Sequence, residues 1–209
     1  MTKVKVCGLT REQDVHLCCE LGVDFMGFIF HESSPRNADR DFVARASCPN
    51  AAKVGVFVRQ SPDEIRDIME RCNLDFAQLH GGQSPDDCRE VGADRVIKVL
   101  WPERYDSPAE LQMEIDRFAP ACAFLLFDAG SSGGGHGRTI DFTNLQQVEI
   151  KTNWFLAGGL DPNNVEPILQ QEPTVLDINS GVESAPGIKD ATKLQAVMGR
   201  IAAHKGKAS

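Results

Sequence analysis

The sequence predicts an α/β fold, a (β/α)8 TIM barrel forming a single domain over residues 1–209, and three observations carry that reading. Short apolar runs, about eight of them, recur at fairly even spacing. Each is followed by a polar turn and a stretch of helical character. Strands that alternate with helices pair in parallel, because every crossover returns the chain to the same end of the sheet. Several runs are apolar almost throughout, as strands covered on both faces are. About eight such units in 209 residues fit a closed barrel better than an open doubly wound sheet. No linker or break in composition marks a second domain.

In chain order the runs are VKVC at 4–7, FMGFIF at 25–30, VGVFV at 54–58 and FAQLH at 76–80. VIKVLW at 96–101, AFLLFD at 123–128, WFLAG at 154–158 and VLDIN at 175–179 complete the set. Between them lie helix starts. Ser61-Pro62-Asp63-Glu64 and Ser84-Pro85-Asp86-Asp87 each offer Ser at the N-cap, Pro at the first helical position and acids in the first turn. Asp161-Pro162 and Thr10-Arg11-Glu12 are read the same way. The last segment, 188–204, carries Leu194, Val197, Met198 and Ile201 at helical spacing.

A formal net charge of −8 and a pI near 5.1 argue against a nucleic-acid partner or an anionic membrane surface, since both would be repelled at long range. An anionic ligand would have to be held by local dipoles and a few placed cations. The seven cysteines are odd in number and form no C-x-x-C pair. Cys18 and Cys19 adjoin in a helical stretch, which suits neither a simple intrachain bridge nor a zinc knuckle. Cys18, Cys19, Cys48, Cys72, Cys88 and Cys122 are therefore read as packing thiols. With no apolar signal core at the front and no run near the ~18–20 residues of a membrane span, the expectation is a cytoplasmic protein in a reducing compartment.

In a barrel of this kind the chemistry sits at the C-terminal ends of the strands. There the sequence places Cys7, His80, Asp128, Gly158-Gly159 and Asn179-Ser180-Gly181, with Arg36 in the loop after the second strand. LAGGLDP and DINSGVE follow the seventh and eighth strands, the recurrent phosphate site of the fold, where bare amides bind phosphate without a net positive protein. Tight turns alone would also use those glycines. Asp128 ends a very apolar strand, where poor solvation raises a carboxyl pKa towards neutrality and suits it to a general acid; the alternative is a cap for the glycine-rich loop that follows. That loop, with its run of Gly and Ser, could close over a substrate. Cys7 alone reads as buried packing or as a base. A thiol there needs its pKa lowered, and the adjacent glycine amides are the expected source. Arg36 could fork onto a carboxylate, and His80 could touch ligand or orient a neighbour. No metal is expected, since no other histidine is spaced to join His80.

Taken together in this order, KVCGLT, GFIF with SPR, VGVF, QLHG, DAGSSGGGHG, LAGGLDPNNV and DINSGVESAPGIKD resemble the phosphoribosylanthranilate isomerase family over essentially the whole chain. The resemblance implies an intramolecular oxidoreductase (an aldose–ketose isomerase) of tryptophan biosynthesis. It would perform the Amadori rearrangement of N-(5'-phosphoribosyl)anthranilate, a small phosphosugar, with no cofactor or metal. It implies Asp128 as general acid, Cys7 as general base, Arg36 at the anthranilate carboxylate, and Gly158, Gly159, Ser180 and Gly181 in the phosphate loops. The chain departs from the family pattern at Asn179, His136, Ile140 and Phe142. Two other readings stand beside it: a different phosphosugar isomerase or synthase barrel, and a non-catalytic barrel that binds a phosphorylated ligand. The synthase would want a strand-end lysine, and Lys98 is followed by apolar residues. Such a barrel serves as a monomer or pairs through a helix face as a homodimer.

Overall fold

Alternation on the first strand, β1 (Lys3–Val6), sets the plan of the molecule. Val4 and Val6 pack outward into the layer under the helices, while Lys5 turns into the barrel and reaches across it. The structure, a computed structural model, describes residues 2–128 and 145–207, with side chains to residue 204. The strands follow as β2 (Phe25–Phe30), β3 (Ala52–Phe57), β4 (Phe76–Leu79), β5 (Val96–Leu100), β6 (Phe124–Asp128), β7 (Trp154–Ala157) and β8 (Val175–Ile178). All are parallel, each pairs with the next, and β8 pairs with β1 to close the barrel. Most strands stop one residue short of the apolar run that announced them. Cys7, Val58, His80, Trp101, Gly158 and Asn179 are thus the first residues beyond their strands, set at the mouth.

Two apolar layers hold the barrel. Inside, Phe25, Val54, Ile97, Leu126 and Phe155 pack together, with the Phe25 ring edge-on to Phe155 at 5.3 Å. Outside, a larger cluster joins the strands to the helices α1 (Glu12–Glu20), α2 (Arg40–Arg45), α3 (Pro62–Arg71), α4 (Pro85–Val91), α5 (Pro108–Phe118), α6 (Val165–Leu169) and α7 (Ala191–Lys207). Lys98 belongs to this outer side: its Nζ donates to the Gly81 carbonyl at 2.8 Å and lies 5.0 Å from the Phe118 ring centroid.

Ser61 and Ser84 cap α3 and α4 in reciprocal capping boxes, each with Pro at the start. The other two expected starts differ. Asp161 does not cap a helix at Pro162; its carboxylate accepts from the N–H groups of Asn163 and Asn164 in a tight turn, and α6 begins at Val165. Thr10 is drawn away by tertiary contact, its hydroxyl donating to the Gly187 carbonyl at 2.8 Å, so α1 starts after Arg11 with no side-chain cap. At the end of the chain, Ile188 and Lys189 are not helical: β10 (Ile188–Lys189) pairs antiparallel with β9 (Glu183–Ala185), and the helix begins at Ala191.

The packing-thiol expectation also needs correction at one pair. Cys19, in the last turn of α1, and Cys48, in the loop before β3, are joined as a disulfide with Cα atoms 5.6 Å apart. The barrel brings the two elements together across 29 residues of sequence, a separation that spacing alone does not reveal. Cys7, Cys18, Cys72, Cys88 and Cys122 are free and buried. Among the described residues, no helix is long and apolar enough to cross a membrane.

Candidate active site

A cavity of ≈ 690 Å³ opens at the C-terminal ends of the strands. It gathers Cys7, Arg36, His80, Asp128, Gly158, Gly159, Asn179 and Ser180 onto one wall-and-floor surface, though they come from six different strand ends. Gly181 lies behind that surface. A Cβ on it would fall 2.0 Å from the Leu160 carbonyl oxygen, so glycine lets the loop after β8 press against the loop after β7.

The Cys-Gly pair is built by close approach. Gly8 sits at φ +73°, and a Cβ there would lie 2.7 Å from Asn179 Oδ1 and 2.9 Å from Arg36 Cδ. Only glycine combines that dihedral with that crowding. On the other side Gly27 makes room for the thiol: one point beside its Cα is 2.7 Å from the Cys7 sulfur and 3.0 Å from Lys5 Cε. The sulfur and the end of Lys5 are therefore neighbours. Burial pushes the Cys7 thiol above its ordinary pKa, with Asp177 adding to the rise while the charges of Lys5 and Lys189 pull it back. The expectation that glycine amides would lower this thiol does not hold; desolvation dominates, and the group that stabilises a thiolate here is an ammonium.

That ammonium is fully buried. Lys5 Nζ donates to Asp177 Oδ2 at 2.7 Å and to Gln78 Oε1. Burial works against the charge, yet the Asp177 carboxylate and the Cys7 sulfur outweigh it and hold the lysine above its usual range.

Arg36 reaches the cavity already oriented. Glu183 takes its Nε and Nη2 in a forked contact, with Nη2 to Oε2 at 2.7 Å, and Lys189 Nζ donates to the same carboxylate at 2.9 Å. Burial alone would raise the Glu183 carboxyl; hydrogen bonds from Arg36 and Lys189 instead keep it below its usual range. Asn179 is held in the same cluster, its Oδ1 accepting from Lys189 Nζ at 3.0 Å.

His80 is neutral at physiological pH: burial, together with the nearby charges of Lys5, Lys98 and Arg104, pushes it down to about 4. Its ring stands edge-on to Trp101 at 5.2 Å, and the Arg104 guanidinium lies 4.0 Å from the Trp101 ring centroid. Trp101 and Arg104 line the cavity, as does Asp177. The sequence pattern does not single out Trp101, Arg104, Lys5, Asp177 or Glu183. A usable signal existed for Lys5, which stands two residues before Cys7 and so on the same face of β1.

Asp128 ends β6 beside Ala157 and borders the cavity. The glycine-rich loop after it, with the proposed closure and the departures at His136, Ile140 and Phe142, lies outside the described residues. Among the described residues no three His, Cys, Asp or Glu side chains gather as a metal site.

Comparison with known proteins adds independent observations. A family model described as N-(5'phosphoribosyl)anthranilate (PRA) isomerase matches residues 4–200. An N-(5'-phosphoribosyl)anthranilate isomerase of Maridesulfovibrio salexigens is 53% identical over 199 residues, covering 95% of this chain and 97% of its own. The crystal structure of a phosphoribosyl anthranilate isomerase from Thermus thermophilus superposes with a TM-score of 0.82 at 34% identity, covering 97% of this chain and all of the other. A further phosphoribosyl anthranilate isomerase, solved in complex with reduced 1-(o-carboxyphenylamino)-1-deoxyribulose 5-phosphate, superposes with a TM-score of 0.81 at 26% identity and covers 97% of this chain and all of its own.

Proposed function

The chain belongs to the N-(5'-phosphoribosyl)anthranilate isomerase family and is an isomerase of tryptophan biosynthesis, and from that premise we propose how its own residues carry the reaction. The substrate is N-(5'-phosphoribosyl)anthranilate and the product is 1-(2-carboxyphenylamino)-1-deoxyribulose 5-phosphate. Asp128 gives a proton to the furanose ring oxygen, and the C1'–O bond breaks as the amine nitrogen lone pair forms the protonated imine. Cys7, as thiolate, takes the proton from C2'. The C–H electron pair becomes the C1'=C2' bond, and the imine electrons return to nitrogen as an enolamine, which tautomerises to the ketone.

The observation that carries this reading is the convergence of Cys7 and Asp128 on one cavity, with Lys5 beneath the sulfur as the cation a thiolate needs. Arg36, held along one edge by Glu183, has Nη1 left for the anthranilate carboxylate. Gly158, Gly159, Ser180 and Gly181 form the phosphate cradle, where local amides replace the positive charge that an acidic chain lacks. Asn179 shapes that cradle, and neutral His80 offers a ring nitrogen to the ligand. The protein works as one barrel domain on a small phosphosugar rather than on nucleic acid.

Anthranilate fluorescence tests the reading. With substrate generated in situ, the protein should consume the signal, and Cys7→Ala and Asp128→Asn should each lower kcat by about 10²–10⁴-fold with the fold retained. Near-normal turnover in either variant overturns the acid–base assignment. Binding without turnover in the unsubstituted protein would instead mark a ligand-binding barrel.

A further inference from the structure

On the cavity floor one carboxylate oxygen lacks a partner. Asp177, the third residue of β8, is 7% exposed, and its Oδ2 accepts from Lys5 Nζ at 2.7 Å. Its Oδ1 is buried and meets no hydrogen-bond donor among the described residues, although the residue lines the cavity. Buried carboxylate oxygens are normally satisfied, and leaving one bare costs its desolvation. An oxygen in that state at the bottom of a ligand cavity is a socket for a donor that the ligand brings.

The surroundings restrict which donor fits. Lys5 already neutralises the Asp177 charge, so a second cation gains little there. A phosphate or carboxylate would meet like charge. Among the described residues no three His, Cys, Asp or Glu side chains gather there as a metal site. A neutral hydrogen-bond donor remains, and a phosphosugar offers its hydroxyls. Its position follows from the strand register: Asp177 stands opposite Lys5, and the Cys7 N–H bonds to the Ile178 carbonyl one step higher at 2.8 Å. Asp177 and Cys7 thus sit at the same end of the barrel and both line the cavity, with Lys5 interacting with both side chains.

We propose that Asp177 Oδ1 accepts a hydrogen bond from a sugar hydroxyl of the substrate, the one on the carbon that Cys7 deprotonates, and so fixes that carbon over the sulfur. The inference deepens the isomerase reading and rests on it. The Lys5–Asp177 pair then does two jobs at once: its cation faces the thiolate, and its spare oxygen holds the reacting carbon in place.

Calorimetric titration with two ligands tests this: the reduced product analogue, which carries a hydroxyl at that carbon, and its counterpart with a methylene there. The unsubstituted protein should bind the methylene ligand about ten- to hundredfold more weakly, the worth of a hydrogen bond to a charged group. In Asp177→Ala the two ligands should bind within about threefold of each other, the range of uncertainty for one such contact. Lys5→Met/Asp177→Ala removes both buried charges and gives the same readout should the single variant fail to fold. A merely structural role for Asp177 would weaken both ligands alike and leave their ratio intact, which overturns the proposal. Equal affinities in the unsubstituted protein overturn it too. Failure of the unsubstituted protein to bind the reduced analogue at all overturns the isomerase reading and this inference with it.

Discussion

At Cys7 the structure sets two opposing influences on one sulfur, and the balance is measurable. The base must be a thiolate, while burial holds the thiol above the ordinary ~8.5 of cysteine. In the free protein kcat/KM should therefore climb with pH through an alkaline limb. Lys5→Met removes the cation that pulls the thiol down, so the limb should move to higher pH. A pH–rate profile checks it, and an unmoved limb would show that Lys5 does not tune the sulfur. Gly8→Ala is a second test. Its φ of +73° and the 2.7 Å and 2.9 Å approaches to Asn179 and Arg36 predict a stability loss of about 1–3 kcal/mol. KM should rise as Arg36 is displaced, read by urea unfolding beside steady-state kinetics. Cys7, His80 and Asp128 were legible as residues of the cavity because polar groups at strand ends break an apolar pattern. Asp177 and Glu183 were not, because each looks like an ordinary charged residue until the closed barrel supplies its buried partner.

The elements were legible to the extent that local chemistry decided them. Ser61 and Ser84 begin their helices as read, since the serine, the proline and the acid three residues on all act within one turn. Ser61→Ala and Ser84→Ala should each cost about 1 kcal/mol, seen as a lower urea midpoint with unchanged slope. A loss below about 0.3 kcal/mol would show that the proline alone fixes the start, as expected where Gly-like losses of a few tenths apply. Thr10 fails as a cap for the opposite reason: its hydroxyl has a better offer from Gly187, distant in sequence. Asp161 satisfies two amides of its own turn and leaves α6 to begin uncapped. Ile188 and Lys189, the β10 half of the β9–β10 ribbon, fell within the expected helix because two residues carry no period of their own. The ribbon matters functionally, since it contributes Glu183 and Lys189, which brace Arg36 from behind.

For the molecule as a whole, the wrapping of one barrel by its helices buries free thiols deeply enough to make stability depend on alkaline pH. Burial raises Cys18 to about 12, Cys122 to about 12 and Cys88 to about 11. In the unfolded chain these groups ionise near ~8.5. Below that value both states hold their protons and the contribution to stability is complete. Above it the unfolded chain releases protons that the folded one retains, so stability falls until the folded pKa values are passed. Lys53 and Lys98 act in the other direction: burial lowers both, and the folded state gains relative to the unfolded one as pH climbs towards the ordinary lysine value. The raw melting curve mixes the two effects, and the thiol part has to be isolated as a difference. Cys18→Ala/Cys122→Ala keeps both lysines and removes two of the buried thiols. It should melt lower than the unsubstituted protein at pH 8 because of the cavities it creates. Between pH 8 and 10.5 it should lose less Tm than the unsubstituted protein, so that the gap between them narrows. A gap that stays constant across that range would mean these thiols ionise alike in both states and would remove burial as the source of alkaline sensitivity.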